Sequence, residues 1–357
     1  MSSAPLEAKL VTAAEAPAGE LDLFLQTFFG ATKAAFLRDH GSWWHRGDEN
    51  RLVLLVDGRV AAYTGVIPTT VRRGQEELEG AWWMDLVVAP AFRRRGLERR
   101  LDAEVRRRFR WILGFPNALA AKIHRRHRWG VKEDLKVHLL PLEPRRMPAL
   151  QRGDSILSRA LRSSAATLAT PLAHWHRRRL LPSTPAVKTP PQRWVLDAEA
   201  LARVASTTPT HSAAGAPWLT AARRAEDFSW RYLEAPPSYR EGLRLHVDDE
   251  DSPRLAVISR HTGRGARILD LFGDLRETGR VIPLLRRAAA SAAAEGEPQV
   301  TALAGNGLIS STLRRAGFLI TSTARFCWLG TTADQTESLA PCDLHWNLGD
   351  SDNDEPR

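Results

Sequence analysis

Met84-Asp85-Leu86-Val87-Val88-Ala89-Pro90-Ala91-Phe92-Arg93-Arg94-Arg95-Gly96-Leu97-Glu98-Arg99-Arg100-Leu101 is the stretch that decides how the chain is read. An apolar strand runs up to Pro90, a loop of three arginines and a glycine follows, and a strongly basic helix begins. A strand that feeds a glycine-containing turn at a helix N-terminus leaves several backbone N–H groups pointing outward. They lie beside the positive end of the helix dipole. Such a nest of amides, spanning Arg93 to Leu97, is a cradle for a pyrophosphate. Glu98 is its one discordant neighbour.

Working outward, residues 6–150 read as one α/β unit. Leu21, Phe24, Leu25, Phe28 and Phe29 fall on one helical face, and a second helix is expected around Thr32–His40. Leu52–Val56 and Val60–Val66 flank Asp57-Gly58, a dipeptide suited to the positive φ of a type I′ hairpin turn. Strand Gly80–Val88, helix Arg94–Phe109, strand Trp111–Phe115, helix Ala118–Arg126 and strand Lys136–Leu142 complete the unit. Residues 148–194 change character: Leu157, Leu161, Leu168, Leu172 and Trp175 recur near helical spacing, then Arg177 to Arg179 lead into a Pro/Ser/Thr-rich run. A helical connector and linker is the reading, with 155–180 also suited to peripheral contact with an anionic membrane. Residues 195–345 echo the first unit. Met84-Asp85-Leu86 returns as Leu269-Asp270-Leu271, and Asn117 ahead of Trp129-Gly130 returns as Asn306 ahead of Gly317-Phe318. Residues 346–357 read as a polar tail.

The loop, Arg93-x-x-Gly96, resembles the acyl-CoA loop of the GNAT acyltransferase superfamily, Arg/Gln-x-x-Gly-x-Gly/Ala, with Glu98 standing where a small residue is usual. The order of elements is similar too. Gly114-Phe115-Pro116-Asn117, Phe228-Ser229-Trp230-Arg231-Tyr232-Leu233 and Trp346-Asn347-Leu348-Gly349-Asp350-Ser351-Asp352 resemble tandem GNAT-like proteins associated with bacterial exopolysaccharide biosynthesis. The resemblance implies an α/β protein with two GNAT-like mixed-sheet domains in tandem, 1–147 and 195–345, joined by the connector. It implies acetyl-CoA or another acyl-CoA as co-substrate, no metal, and transfer to an amine, such as that of an amino sugar or saccharide precursor. Cofactor contacts would come from Val87, Val88, Arg93, Arg94, Arg95, Gly96, Leu97 and Asn117. In the family, a tyrosine seven residues after the asparagine meets the leaving thiolate; here that place is taken by His124, and an imidazole can protonate sulfur. His124 reads equally as one polar face of an arginine-rich helix.

Asp85 has Trp82, Trp83 and Met84 as apolar neighbours; a carboxylate so placed suits a general base with a raised pKa, or a structural acceptor. Trp43, Trp44 and His45 suit stacking on a sugar or plain core packing. In the second copy Leu313 stands where His124 stands, and its turn, Gly273 to Gly279, holds two acids that repel a pyrophosphate.

The chain has 357 residues, a formal net charge of +10 and two cysteines, Cys327 and Cys342. That length favours two domains. The cysteine count excludes a disulfide framework and a cysteine zinc site, and suits a reducing cytoplasm. No secretory signal or bilayer-length apolar run is visible. Glu98 and Leu313 keep one rival open, a catalytically inactive GNAT-fold binding protein in polysaccharide assembly; the net positive charge keeps another, a transferase using aminoacyl-tRNA. Glu98, Asp102 and Glu104, interleaved with the arginines of 99–110, argue for a salt-bridged helix rather than a nucleic-acid reader.

Overall fold

In a computed structural model, residues 7–148 and 196–348 are described. The connector expected over 148–194, including 155–180, lies outside them except for its first residue. The chain divides into two compact units. Of the described residues, those up to Lys132 with Arg325–Pro341 form the first, and the rest of those from Glu133 on form the second. These limits differ from the contiguous blocks expected from sequence because each unit takes one strand from the other half of the chain. No helix among the described residues is long and apolar enough to cross a membrane.

In the first unit, α1 (Ala18–Phe29) and α2 (Ala31–Trp44) follow a short strand β1 (Lys9–Thr12). Strands β2 (Arg51–Val56), β3 (Arg59–Arg73) and β4 (Glu76–Val88) then form an antiparallel meander. Its first turn has Asp57 at φ 50° and Gly58 at φ 76°, as the hairpin signal requires. Helix α3 (Leu97–Arg108) carries the chain over to β5 (Trp111–Gly114), which lies parallel to β4. A parallel neighbour needs such a crossover. Helix α4 (Ala118–Arg126) follows, and strand β6 (Gly130–Pro141) leads into the second unit. The sheet closes with the far end of β12 (Leu319–Gly330), where Cys327 to Gly330 run antiparallel to Gly114 to Trp111. Leu97, Leu101 and Val105, one buried stripe of α3, pack on Leu54, Ala62, Ala81 and Ile112 of the sheet.

At Gly80, β4 lies tightly against β5: a Cβ there would lie 2.7 Å from the Trp111 carbonyl oxygen. Gly80→Ala is therefore expected to cost about 1–3 kcal/mol through overpacking against backbone that cannot move aside. Denaturant unfolding of the two proteins measures this directly.

The second unit has a similar order of elements. Strands β8 (Leu243–Val247), β9 (Leu255–Arg260) and β10 (Ala266–Gly273) are an antiparallel meander. Following a helix α5 (Ala198–Ser206) and strand β7 (Trp218–Ala221) earlier in the chain, α6 (Thr278–Ala294) crosses from β10 to its parallel neighbour β11 (Gln299–Ala304). Helix α7 (Gly307–Ala316) precedes β12. The strand borrowed here is β6, antiparallel to β11 from Lys136 to Pro141. Asn117 and Asn306 each cap the helix after the parallel strand, accepting from the amides of Ala120 at 2.9 Å and Ile309 at 3.0 Å. Trp346, Asn347 and Leu348, expected to open a polar tail, are instead buried. The reason is β13 (Asp343–His345), parallel to β7, which carries them into the core, where the Asn347 amide donates to Asp270.

Candidate active site

The loop after β4 is a short 3-10 turn, Pro90–Phe92, then Arg94 at φ 61° and Gly96 at φ 77°. Two left-handed residues two positions apart turn successive amides to one side. The Arg93 amide closes the turn onto the Pro90 carbonyl at 3.3 Å. Beyond it, the amides of Arg94 to Arg99 have no partner among the described residues, and no side chain caps α3. Nor does the Glu98 carboxylate fold back over them; it makes no hydrogen bond or ion pair among those residues. The arginines sort into two groups. Arg106 pairs with Asp102 at 2.7 Å, Arg107 with Glu104 at 2.7 Å, and Arg108 holds Asn50. Arg94, Arg95, Arg99 and Arg100 are exposed and have no acidic partner among the described residues. The unpaired positive charge is thus concentrated where the amides are open.

Beside the loop the two parallel strands part. Pairing of β4 with β5 ends at Trp82↔Leu113, while β4 continues to Val88. Val87 and Val88 pair with Tyr63 and Ala62 on the β3 side only. In this diverging stretch β4 bulges: Tyr63 faces Val87 and Gly65 faces Met84, leaving one extra residue on β4. Asp85 sits in the bulge at φ 59°. Thr64, opposite, donates to the Met84 carbonyl at 2.9 Å and accepts from the Trp83 indole at 2.7 Å, which fixes the distortion.

The bulge turns the Asp85 carboxylate toward α2, where Oδ1 is bonded to Lys33 Nζ. The surroundings are therefore not purely apolar, as the neighbouring tryptophans suggested; the group Asp85 meets is a cation. Its side chain is 5% exposed, and Oδ2 is buried with no hydrogen-bond partner. Tyr63, fully buried nearby, has its phenol pushed up to about 12 by desolvation.

His124 lies in the last turn of α4, its ring 4.3 Å from the Trp129 ring. Burial lowers its pKa, against the pull of Asp102. Neither ring nitrogen has a partner among the described residues. Asn117 commits Oδ1 to its capping bond, leaving only its NH₂ group for a ligand.

Trp44 and His45 resolve the choice between sugar stacking and packing in favour of packing. Both are fully buried, α2 running further than expected to include Trp44. His45 packs against Gly65, with Nδ1 3.2 Å from the Val66 carbonyl. Burial, reinforced by Arg51, lowers its pKa to about 3. Burial likewise takes His138 and His246 to about 4. All three are folded as neutral imidazoles, while an unfolded chain protonates them below about pH 6.5. Their contribution is whole above that pH and lost as pH falls toward 4. The thermal midpoint should drop steeply over this window, and less so in His45→Gln; a flat profile would contradict the assignment.

In the corresponding turn of the second unit most amides are bonded internally. The amides of Asp274, Leu275, Glu277, Thr278 and Arg280 donate to the carbonyls of Arg254, Gly273, Asp274, Arg276 and Glu277. Gly273 donates to Thr208 Oγ1 at 3.0 Å. Asp274 and Glu277 face Arg254, at 3.9 and 3.5 Å. At the β10 bulge, between Ile268 and Asp270, the Asp270 carboxylate is saturated: Arg223 Nε at 2.8 Å and Asn347 Nδ2 at 3.1 Å on Oδ1, Tyr232 hydroxyl at 3.4 Å on Oδ2.

No protein-family model matches the chain, and no curated protein does. Solved structures are similar in fold. A GCN5-related N-acetyltransferase from Kribbella flavida aligns over 94% of this chain and 74% of its own, with TM-score 0.53 and 15% identity. N-myristoyltransferase from Saccharomyces cerevisiae with bound myristoyl-CoA aligns over 92% and 85%, with TM-score 0.56 and 12% identity. A probable N-acyltransferase from Enterococcus faecalis V583 aligns over 92% and 74%, with TM-score 0.56 and 10% identity. At such identity the likeness carries architecture, not activity. The chain has the α/β fold, built on a large mixed sheet, of the GCN5-related acyltransferases.

Proposed function

We propose that the protein is an acyl-CoA-dependent N-acyltransferase whose chemistry is confined to the first of two GNAT-like halves. One observation carries the reading: six consecutive amides and four arginines without acidic partners gather in the first loop, while most amides of the matching loop in the second unit are bonded internally. A nucleotide pyrophosphate suits the first, by charge and by geometry, and is refused by the second. Arg94 to Arg99 would hold it, with Val87 and Val88 lining the parted strands and the Asn117 amide reaching the pantetheine arm. Bound acyl-CoA supplies the thioester carbonyl. Asp85, through Oδ2, takes the proton of the acceptor amine, and His124 gives one to the departing sulfur. The saturated Asp270 and the apolar Leu313 have no such capacity, which suits a supporting or acceptor-binding role for the second half.

The acceptor this reading favours is a primary amine, with an amino sugar or saccharide precursor as the class suggested by sequence resemblance. Glu98 favours the rival of a fold that binds without turning over. Calorimetry separates the outcomes. Acetyl-CoA is expected to bind one site per chain with Kd between about 1 μM and 1 mM, the usual range for enzyme substrates. Folded protein that takes up no acetyl-CoA would defeat the proposal. Binding with measurable transfer that His124→Ala abolishes would defeat the rival.

A further inference from the structure

We propose that Lys33 is itself an acceptor: the first unit transfers the acyl group of bound acyl-CoA to the Lys33 ε-amine, with Asp85 as base. The inference rests on the acyl-CoA reading and names one nucleophile for that same site.

The observation is an amine and a carboxylate, 52 residues apart in sequence, in direct contact at the β4 bulge. The Lys33 side chain is 16% exposed and its ammonium lies 4.7 Å from the centre of the Phe29 ring, so the amine is held largely out of water without being sealed. Asp85 stands on the part of β4 beyond the last β5 pair, where the open strand edge lines the gap. It lies three residues before Val88, about 10 Å back along the strand. An extended arm tethered at the loop amides of Arg94 to Arg99 and laid along that edge delivers its thioester toward this point. Asp85 Oδ1 holds the ammonium while Oδ2, buried and unpartnered, has an open place for a proton. Amine, base and acyl donor are thereby brought to one place, the condition under which an intramolecular reaction outruns the bimolecular one.

In the step, the Lys33 ammonium yields one proton to Asp85, and the Nζ lone pair forms a bond to the thioester carbonyl carbon. The carbon–sulfur bond breaks, its electron pair leaving on sulfur, which takes up a proton from His124; Asp85 passes its own proton to solvent, from which His124 is recharged. Nζ sheds its second proton to solvent. The products are Nε-acyl-lysine and free CoA thiol. Loss of the ammonium charge then leaves the Asp85 carboxylate without its ion-pair partner.

The test is peptide mass mapping of the full chain after incubation with acetyl-CoA alone, alongside calorimetric measurement of acetyl-CoA binding. Lys33 should acquire one acetyl group at least about 100-fold faster than the exposed Lys9 and Lys122. Asp85→Asn should slow Lys33 labelling to the rate of those surface lysines, and Lys33→Arg should bind acetyl-CoA as the parent does. Acetyl-CoA that binds while Lys33 stays unmodified, or is modified no faster than Lys9 and Lys122, overturns the proposal and leaves the acyl-CoA reading standing. Absence of binding to folded protein removes both. The comparison among lysines is made within the parent protein, so it holds even where a variant fails to fold.

Discussion

Gly96→Val is expected to lower the affinity for acetyl-CoA by about 100-fold while leaving the protein folded. Gly96 sits at φ 77°, ψ 12°, immediately before α3. A β-branched residue in that left-handed conformation costs about 1–2 kcal/mol, to be seen as a modest fall in the thermal midpoint. No further cost comes from crowding, because a Cβ at Gly96 meets nothing within 4 Å. The valine methyls would instead stand in the turn where the Arg94 to Arg99 amides are open. Displacing the pyrophosphate from two charge-assisted hydrogen bonds, each worth about 1.5 kcal/mol, gives about 3 kcal/mol and hence the stated factor. Calorimetry on both proteins reads the affinity. A valine variant that binds as tightly as the parent would remove the loop from the account.

Asp85→Asn is expected to slow acyl transfer to an added primary amine by about 10²- to 10⁴-fold, with acetyl-CoA affinity unchanged. Asparagine preserves the shape of the side chain in the bulge but cannot take a proton from the acceptor. It also removes the carboxylate that Lys33 meets, so some stability should be lost. With 16% of its side chain exposed, Lys33 still reaches water, which limits that cost. The separation between transfer rate and CoA affinity is the informative part. CoA thiol release, followed with and without the amine, measures the first, and calorimetry the second. Unchanged transfer would reduce Asp85 to a structural acceptor, the role that its counterpart Asp270 fills with three donors around it.

Much of this was legible in the chain because it is local. Asp57-Gly58 announces its turn, and helix Ala118–Arg126 has the bounds its sequence suggests. The loop could be read because a glycine at a helix start after a strand has few other uses. What escaped was non-local. The contact of Lys33 with Asp85 depends on α2 being laid over the sheet, and alternation of residues along β4 gives no sign of a bulge. Trp44 and His45 gave a usable signal: Phe36, Leu37, Gly41 and Trp44 continue one helical face, so α2 could have been extended to bury them. The exchange of β6 and β12 between units had no signal, since each strand simply follows its helix along the chain. Pairing between segments so far apart in the chain is decided by the assembled sheet rather than by either segment.

The central claim is that one loop of two is built to hold a nucleotide diphosphate, and amide hydrogen exchange tests it most directly. In the protein alone, the amides of Arg94 to Arg99 should exchange rapidly, having no partners. Saturating acetyl-CoA should protect that segment and leave 273–280, already bonded internally, as it was. Protection at 273–280 in place of 94–99, or saturable binding with Arg94 to Arg99 still exchanging freely, would contradict it.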